Sequence, residues 1–414
     1  MKITLTPDQE TAITAINKFI LSPAEKVFVL QGYSGTGKST VVRHLLERLP
    51  TFMKTAKLIR PDLRELEIML TATTNKAAES LQQITDKEVS TIHAFMGFRV
   101  VNDFKANTSK LIVTNRSLIE DALIFIDEAS YIDTDLLEKI FSKLGDSKVI
   151  FIGDPAQLVP IKATSAPVFK AGFPGAMLSQ VVRQAEGNPI ETLSTQFRET
   201  VNSGKFFQFV PDGKHISYLS RQDFMQAAID DCSRPDWKYS DSKILTWTNK
   251  AAINANNLVR SSVQGIPHFA EGEYAVCNAY ISPYKGVNIK TDQMVRITGI
   301  SADITKYGVV GNDFTLDGRF DVFMPKTLDS RNERLKRARK EGNFDIIRDI
   351  ETTWIDLRAA YAQTVNKSQG STYEQVFVDL DDIGKCNSGN QIARMLYVAI
   401  SRAKTNVYLT GDFC

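Results

Sequence analysis

The sequence predicts an α/β protein of two tandem strand–helix domains, with a small β-hairpin inserted in the first and a small β-barrel in the second. Apolar, strand-like runs followed by helical patterns recur in both halves of the 414-residue chain. The letters TNKAA close such a run twice, at Thr74–Ala78 after EIMLTAT and at Thr248–Ala252 after SKILTW. Between about residues 265 and 352 the pattern changes to short strands separated by Gly, Asn and Asp turns.

The totals set outer limits. A chain of this length exceeds one ordinary core, so about two to four domains are expected. With 43% hydrophobic and 24% charged residues the composition is that of a globular protein. No apolar run reaches the roughly 18–20 residues that span a bilayer, and MKITLTPDQE does not read as a signal peptide. Cys232, Cys277, Cys386 and Cys414 are far apart and lack metal-ligand spacing, so they read as reduced thiols of a cytoplasmic protein. The four histidines form no cluster, which argues against a protein-held zinc. A net charge of +2 neither demands nor excludes nucleic acid, because a basic groove can be offset by acidic faces elsewhere.

The most specific stretch is KVFVLQGYSGTGKSTVVRHLLERL. An apolar strand over Lys26–Leu30 leads into Gly32–Ser39, which reads G-x-x-x-x-G-K-S, and an amphipathic helix follows to about Leu49. Glycines such as Gly32, Gly35 and Gly37 let the backbone curl so that N–H groups, including those of Thr36 and Thr40, face phosphate oxygens at a helix N-terminus. Lys38 is placed to neutralise the β and γ phosphates of ATP, and the Ser39 hydroxyl to ligate Mg2+.

Such a loop needs an acidic partner at the end of a second buried strand. DALIFIDEAS supplies Asp127, placed to hold the metal, and Glu128, placed to polarise the attacking water. A third strand, in SKVIFIGDPAQLVPI, ends in Gly153-Asp154-Pro155 with Gln157 beyond it. This reads both as a tight turn and as an amide able to report on the γ-phosphate. Near the N-terminus Thr6, Pro7 and Gln9 make a helix capping box, which by itself accounts for Gln9.

Several phosphate-loop classes fit this first half. A GTPase would carry N-K-x-D, whereas both NK pairs continue NKAA. A small-molecule kinase needs neither a second large domain nor arginines delivered from it. Arg183 in MLSQVVRQ and Arg402 in LYVAISRAK are candidates for stabilising charge on a γ-phosphoryl group.

In order along the chain, GYSGTGKST, TATTNKAAESL, STIHAFMG, FIDEAS, IGDPAQLVPI, LSQVVRQ, TWTNKAAINANN, AAYAQTVNKSQGSTY and LYVAISRAK together resemble superfamily 1 helicases of the RecD-like group, and within it the short bacteriophage Dda helicases. The resemblance implies two RecA-like motor domains with the ATP cleft between them. The first would span 1–180 with a hairpin insertion at about 97–118. The second would comprise 181–264 and 353–414, interrupted by an SH3-like domain at 265–352. It implies that Gln9 contacts adenine, that Gln157, Arg183 and Arg402 meet the γ-phosphate, and that Gly370 borders the nucleotide. DNA contacts carry over to Thr74 and Asn75, to Thr91 and His93, and to Thr364 and Lys367, and the repeated TNKAA extends the candidates to Lys76 and to Thr248, Asn249 and Lys250. It also implies 5′→3′ movement of a monomer on single-stranded and forked duplex DNA, a single-strand-binding or replication protein as partner, and residence in the host cytoplasm if phage-encoded. One departure is TATTNKAA, where relatives often carry a proline after the strand.

FRVVNDFKANTSKLIVTNRSLIEDA reads as a β-hairpin, with Phe98 or Phe104 as candidate apolar tip of a duplex-splitting pin and packing as the alternative. QMVRITGI, KYGVVGN, DFTLDG and RFDVFMP read as strands of the small SH3-like barrel. The charged stretch RNERLKRARKEGNFDIIRDIETTW reads as a solvated helical face, with DNA contact as the alternative. Affinity for DNA should come from phosphate contacts and stacking. Two other activities remain open on the sequence alone: a translocase that strips proteins without unwinding, and a nucleic-acid-binding NTP switch with little turnover.

Overall fold

The computed structural model describes residues 4–103, 108–115, 117–160, 166–182, 188–265, 268–284 and 287–412. The chain divides into two units, one running to Phe209 and including Ser388–Ser401, the other comprising Val210–Asn387 and the chain from Arg402 on.

The first unit is built on a parallel sheet. Its strands run in the order Ser90–Thr91, Glu67–Ala72, Ala122–Asp127, Lys148–Gly153, Val27–Gly32, Gly175–Leu178. Phe28 and Leu30 face one apolar cluster and Val29 the other, the period-2 alternation of a strand buried on both faces. The helix after the phosphate loop spans Lys38–Ile59 and continues through Pro50, beyond the Leu49 end expected from sequence. Proline removes one backbone bond, but Phe52, Met53 and Ala56 pack the next turn on the core and hold it helical. Phe98–Asp103 and Thr108–Val113 pair antiparallel, so the expected hairpin is present. Phe104 lies outside the described residues.

The second unit has its own parallel sheet, ordered Ala362–Thr364, Ser242–Thr246, Tyr373–Asp379, Ala403–Thr410, Ile216–Tyr218. Inserted in it is an antiparallel sheet ordered Ile304–Lys306, Val309–Leu316, Met294–Ile300, Tyr274–Cys277, Leu357–Ala359, with Phe320–Pro325 also paired to Val309–Leu316. It curls around Val295, Ile297, Phe314, Leu316 and Val322 as a small barrel-like insertion. VVGNDFTL, Val309–Leu316, forms one strand where the sequence indicated two, because the chain stays extended through Gly311 and Asn312. A Cβ on Gly311 would stand 2.4 Å from the Met324 carbonyl and 2.5 Å from the Phe323 ring. The charged stretch becomes two helices, Leu328–Glu341 and Phe344–Thr353, separated by Gly342 in the left-handed region. Ala338 is the one buried residue of the first, as a solvated face requires. Trp354 then packs 4.6 Å from Phe323 and anchors the pair.

The Pro189–Ser203 and Gly389–Ile400 helices belong to the first unit, where they pack on each other. The domain limits expected from sequence assigned both to the second domain. Among the described residues no helix is long and apolar enough to cross a membrane.

Candidate active site

Three strands of the first sheet bring the candidate residues to one edge. Because all are parallel, the C-terminal ends of Val27–Gly32, Lys148–Gly153 and Ala122–Asp127 lie side by side, with Lys148–Gly153 in the middle. That edge is where open α/β sheets bind ligands.

The phosphate loop leaves the first of these strands. Gly35 and Gly37 have φ of 81° and 82°, conformations that L side chains rarely adopt. Gly37 caps the 22-residue helix and offers no side-chain acceptor to the N–H groups of its first turn. Lys38 Nζ donates to the carbonyls of Gly32 (2.7 Å) and Tyr33 (3.0 Å), which keeps the ammonium inside the loop. Thr36 is fully buried and its hydroxyl donates to the Tyr33 carbonyl at 2.9 Å. Ser39 and Thr40 are half-buried on the first turn.

Gln9 is joined to this loop. Its Oε1 accepts the Thr6 amide at 3.1 Å in the expected capping box, while Nε2 donates to the Thr36 carbonyl at 3.0 Å. A Cβ on Gly37 would meet Nε2 at 2.4 Å, so the glycine also makes room for this amide.

At the acidic strand end, burial pushes the Asp127 carboxyl above its ordinary range, opposed by the Glu128 amide at 2.8 Å and by the charge of Lys38. Glu128 holds a left-handed backbone, φ 55°, which few non-glycine residues adopt and which turns its side chain off the strand path. Gly153 lets the middle strand approach this turn: a Cβ there would lie 3.1 Å from the Ala129 nitrogen and 2.9 Å from the Phe169 ring. The oxygen donors of Ser39 and Asp127 fit a hard divalent cation.

Beyond Gly153 the chain folds into a tight turn. Asp154 is fully buried; its Oδ1 accepts the Ala156 amide at 2.8 Å and its Oδ2 accepts the Tyr397 hydroxyl at 2.6 Å. Tyr397 Oη in turn accepts the Ser34 amide of the phosphate loop at 2.8 Å. Arg394 Nη1 donates to the carbonyls of Pro155 (2.8 Å) and Gln157 (2.5 Å). Gln157 itself is buried. Sequence reasoning singled out neither Arg394 nor Tyr397, although Tyr397 lies within LYVAISRAK and the three-residue spacing puts both on one helix face. Beside the loop, Arg198 stacks 4.0 Å over the Tyr33 ring.

This arrangement of loop, acidic strand end and intervening turn agrees with the family model described as an AAA domain, which matches residues 4–220. The chain belongs to the AAA domain family. A second model, the UvrD-like helicase C-terminal domain, matches residues 359–410 of this AAA-domain chain. The ATP-dependent DNA helicase dda of Enterobacteria phage T4 is 23% identical, over 98% of this chain and 98% of that one. The RecBCD enzyme subunit RecD of Buchnera aphidicola is 28% identical over 49% of this chain and 32% of that one. A solved structure concerning DNA unwinding at forked duplex by two coordinating Pif1 helicases covers 100% of this chain and 93% of that chain, with a TM-score of 0.51. At 16% identity that likeness is one of fold. The AAA-domain chain therefore has a superfamily-1-like helicase fold of tandem RecA-like domains, related to the RecD and Dda branch and to the Pif1 branch without singling out Dda. It is a P-loop ATPase of the helicase type.

The remaining candidates fall in strand-to-helix corners of each unit. Thr74 caps the Asn75–Thr85 helix and Thr248 the Asn249–Gln264 helix, each hydroxyl accepting an alanine amide at 3.2 Å. Asn75 and Lys76 are half-buried, Asn249 and Lys250 exposed. The first corner is held by Thr73, which donates its amide to the Asp127 carbonyl and its hydroxyl to the Glu128 carbonyl. The second is held by the buried Asp382, which sequence reasoning missed. Thr91 and Thr364 cap two further short helices.

Lys367 Nζ is engaged within the second unit by Asn278 Oδ1 (3.1 Å) and Asp292 Oδ1 (2.9 Å). Phe98 is 7% exposed at the base of the hairpin, paired with Val113 and edge-on to His93, so packing accounts for it rather than a place at the tip. In the second unit Arg402 is buried and its Nη1 donates to the Ser371 carbonyl at 3.1 Å, next to Gly370 with φ 73°. Arg183 lies outside the described residues.

Proposed function

We propose that this protein is an ATP- and Mg2+-dependent DNA helicase that moves on single-stranded DNA and opens forked duplex. The observation that carries it is the shared sheet edge: an uncapped helix start at Gly37, Asp127 and Glu128, and the Asp154–Gln157 turn between them. In this reading the loop amides, Lys38, Ser39 and Thr40 bind the phosphates of ATP, and Gln9 borders the base. Ser39 and Asp127 would hold Mg2+, which when bound draws charge from the phosphate oxygens. Glu128 orients the attacking water and accepts its proton. Gln157, Arg183 and Arg402 stabilise charge on the γ-phosphoryl group as the two motor domains close. Gly370 borders the nucleotide.

The two capped corners supply one DNA grip per motor domain. Thr and Asn side chains with helix N–H groups bind phosphates, and Thr91, His93, Thr364 and Lys367 extend the track. The resemblance of the ordered motifs to Dda helicases adds to this reading a short, Dda-like organisation, a monomeric cytoplasmic enzyme and 5′→3′ movement. A single-strand-binding or replication protein is the partner this activity calls for.

Duplexes carrying a 5′ or a 3′ tail, in DNA and RNA versions, test the reading with ATP. Unwinding of the 5′-tailed DNA alone is expected. Robust ATPase without strand separation on any fork would overturn unwinding in favour of translocation.

A further inference from the structure

Resting on that ATPase reading, we infer that Tyr397 is a positioning residue for hydrolysis, its hydroxyl fastening the phosphate loop to the turn that carries Gln157. The hydroxyl uses both of its hydrogen-bonding capacities in a place 2% exposed to solvent. It accepts the Ser34 amide at 2.8 Å and donates to Asp154 Oδ2 at 2.6 Å. Packing alone needs only the ring, and phenylalanine would supply that. The bond to the carboxylate is charge-assisted, roughly twice as strong as a neutral one.

The same helix face holds the far end of the turn. Arg394, three residues earlier, donates to the Pro155 and Gln157 carbonyls, and its Nε is steadied by Asn390 Oδ1 at 2.9 Å. Asp154 Oδ1 meanwhile fixes the Ala156 amide. From Asp154 to Gln157, every residue is thus held through its side chain or backbone by this helix or by Asp154 itself. One hydroxyl and one guanidinium on this helix thus tie the phosphate loop to the turn that carries Gln157. Neighbouring strands alone would leave both loops free to shift independently at the edge where a γ-phosphoryl group must be met to within a fraction of an ångström.

The test is Tyr397→Phe in the full chain, with ATPase measured in the presence of single-stranded DNA and kcat expressed per ADP-binding site. A kcat about tenfold lower is expected, with the KM for ATP within about twofold and ADP affinity retained. Asp154→Asn, read the same way, is the second arm and should give the same split. The double variant should be no worse than the more impaired single one, because both remove one linkage. An unchanged kcat per site in an active enzyme overturns the inference and leaves the ATPase reading intact. Losses that simply multiply in the double variant, or that follow the loss of ADP binding, reduce Tyr397 to packing and overturn it as well. Wild-type protein that binds ADP but never turns over ATP overturns the ATPase reading, and this inference with it.

Discussion

Asp382 accepts both the amide and the hydroxyl of Thr248, at 2.7 Å to Oδ2 and 2.9 Å to Oδ1, and its Oδ2 also accepts the Trp247 amide at 2.9 Å. One carboxylate 2% exposed therefore organises the whole second TNKAA corner. Asp382→Ala leaves two backbone amides without their acceptor. It should cost roughly 1–3 kcal/mol in urea unfolding and weaken binding of labelled oligo(dT). Wild-type DNA affinity in a destabilised variant would show that the corner takes no part in binding.

The two corners should act alike because they are built alike. Asn75→Ala and Asn249→Ala are each expected to lower single-strand affinity about fivefold, near 1 kcal/mol, while basal ATPase changes less. Anisotropy titrations beside ATPase measurements without DNA separate the two effects. Loss confined to one of the two variants would argue against one grip per domain.

Hydrolysis is expected to need Lys38 and Glu128 differently. Lys38→Ala should abolish DNA-stimulated ATPase with the fold intact, since the ammonium lies inside the phosphate loop. Glu128→Gln keeps the shape of the side chain on its left-handed backbone and removes the base, so kcat should fall about 10²–10⁴-fold with ATP binding preserved. Retained turnover in Lys38→Ala would refute the mechanism.

Much of this was legible because it is local. The phosphate loop and the Thr6–Gln9 capping box are patterns of four to eight neighbouring residues whose chemistry is fixed by their own backbone. What escaped is non-local. Tyr397 and Arg394 find Asp154 and Gln157 across more than two hundred residues of chain, and Asp382 finds Thr248 across 134. No propensity encodes such pairings. KYGVVGN and DFTLDG were read as separate strands, whereas one strand runs through Asn312 and Asp313 and Gly311 within it yields space to a crossing carbonyl. The helix expected to end near Leu49 runs on to Ile59 because Phe52, Met53 and Ala56 on the next turns pack on the core, which a local rule does not weigh.

His93 gives a prediction that separates charge from contact. Burial pushes its imidazole below the ordinary value of 6.5, opposed by the carboxylate of Asp133, and its ring stands 6.3 Å edge-on to Phe98. A lowered value in the folded state means that the fold disfavours imidazolium. The stability tied to the neutral ring is therefore complete above pH 6.5 and is lost as pH falls through the lowered folded value. A ring-proton titration by NMR should place the midpoint below 6.5, and His93→Gln should flatten the acid side of the stability profile. At pH 7 the neutral ring can donate a hydrogen bond to DNA but releases no counterion. His93→Ala should then weaken DNA binding without changing its salt slope, whereas Lys76→Ala should reduce that slope by about 1. A midpoint above 6.5, or a slope that falls in His93→Ala, would make the histidine a cationic contact instead.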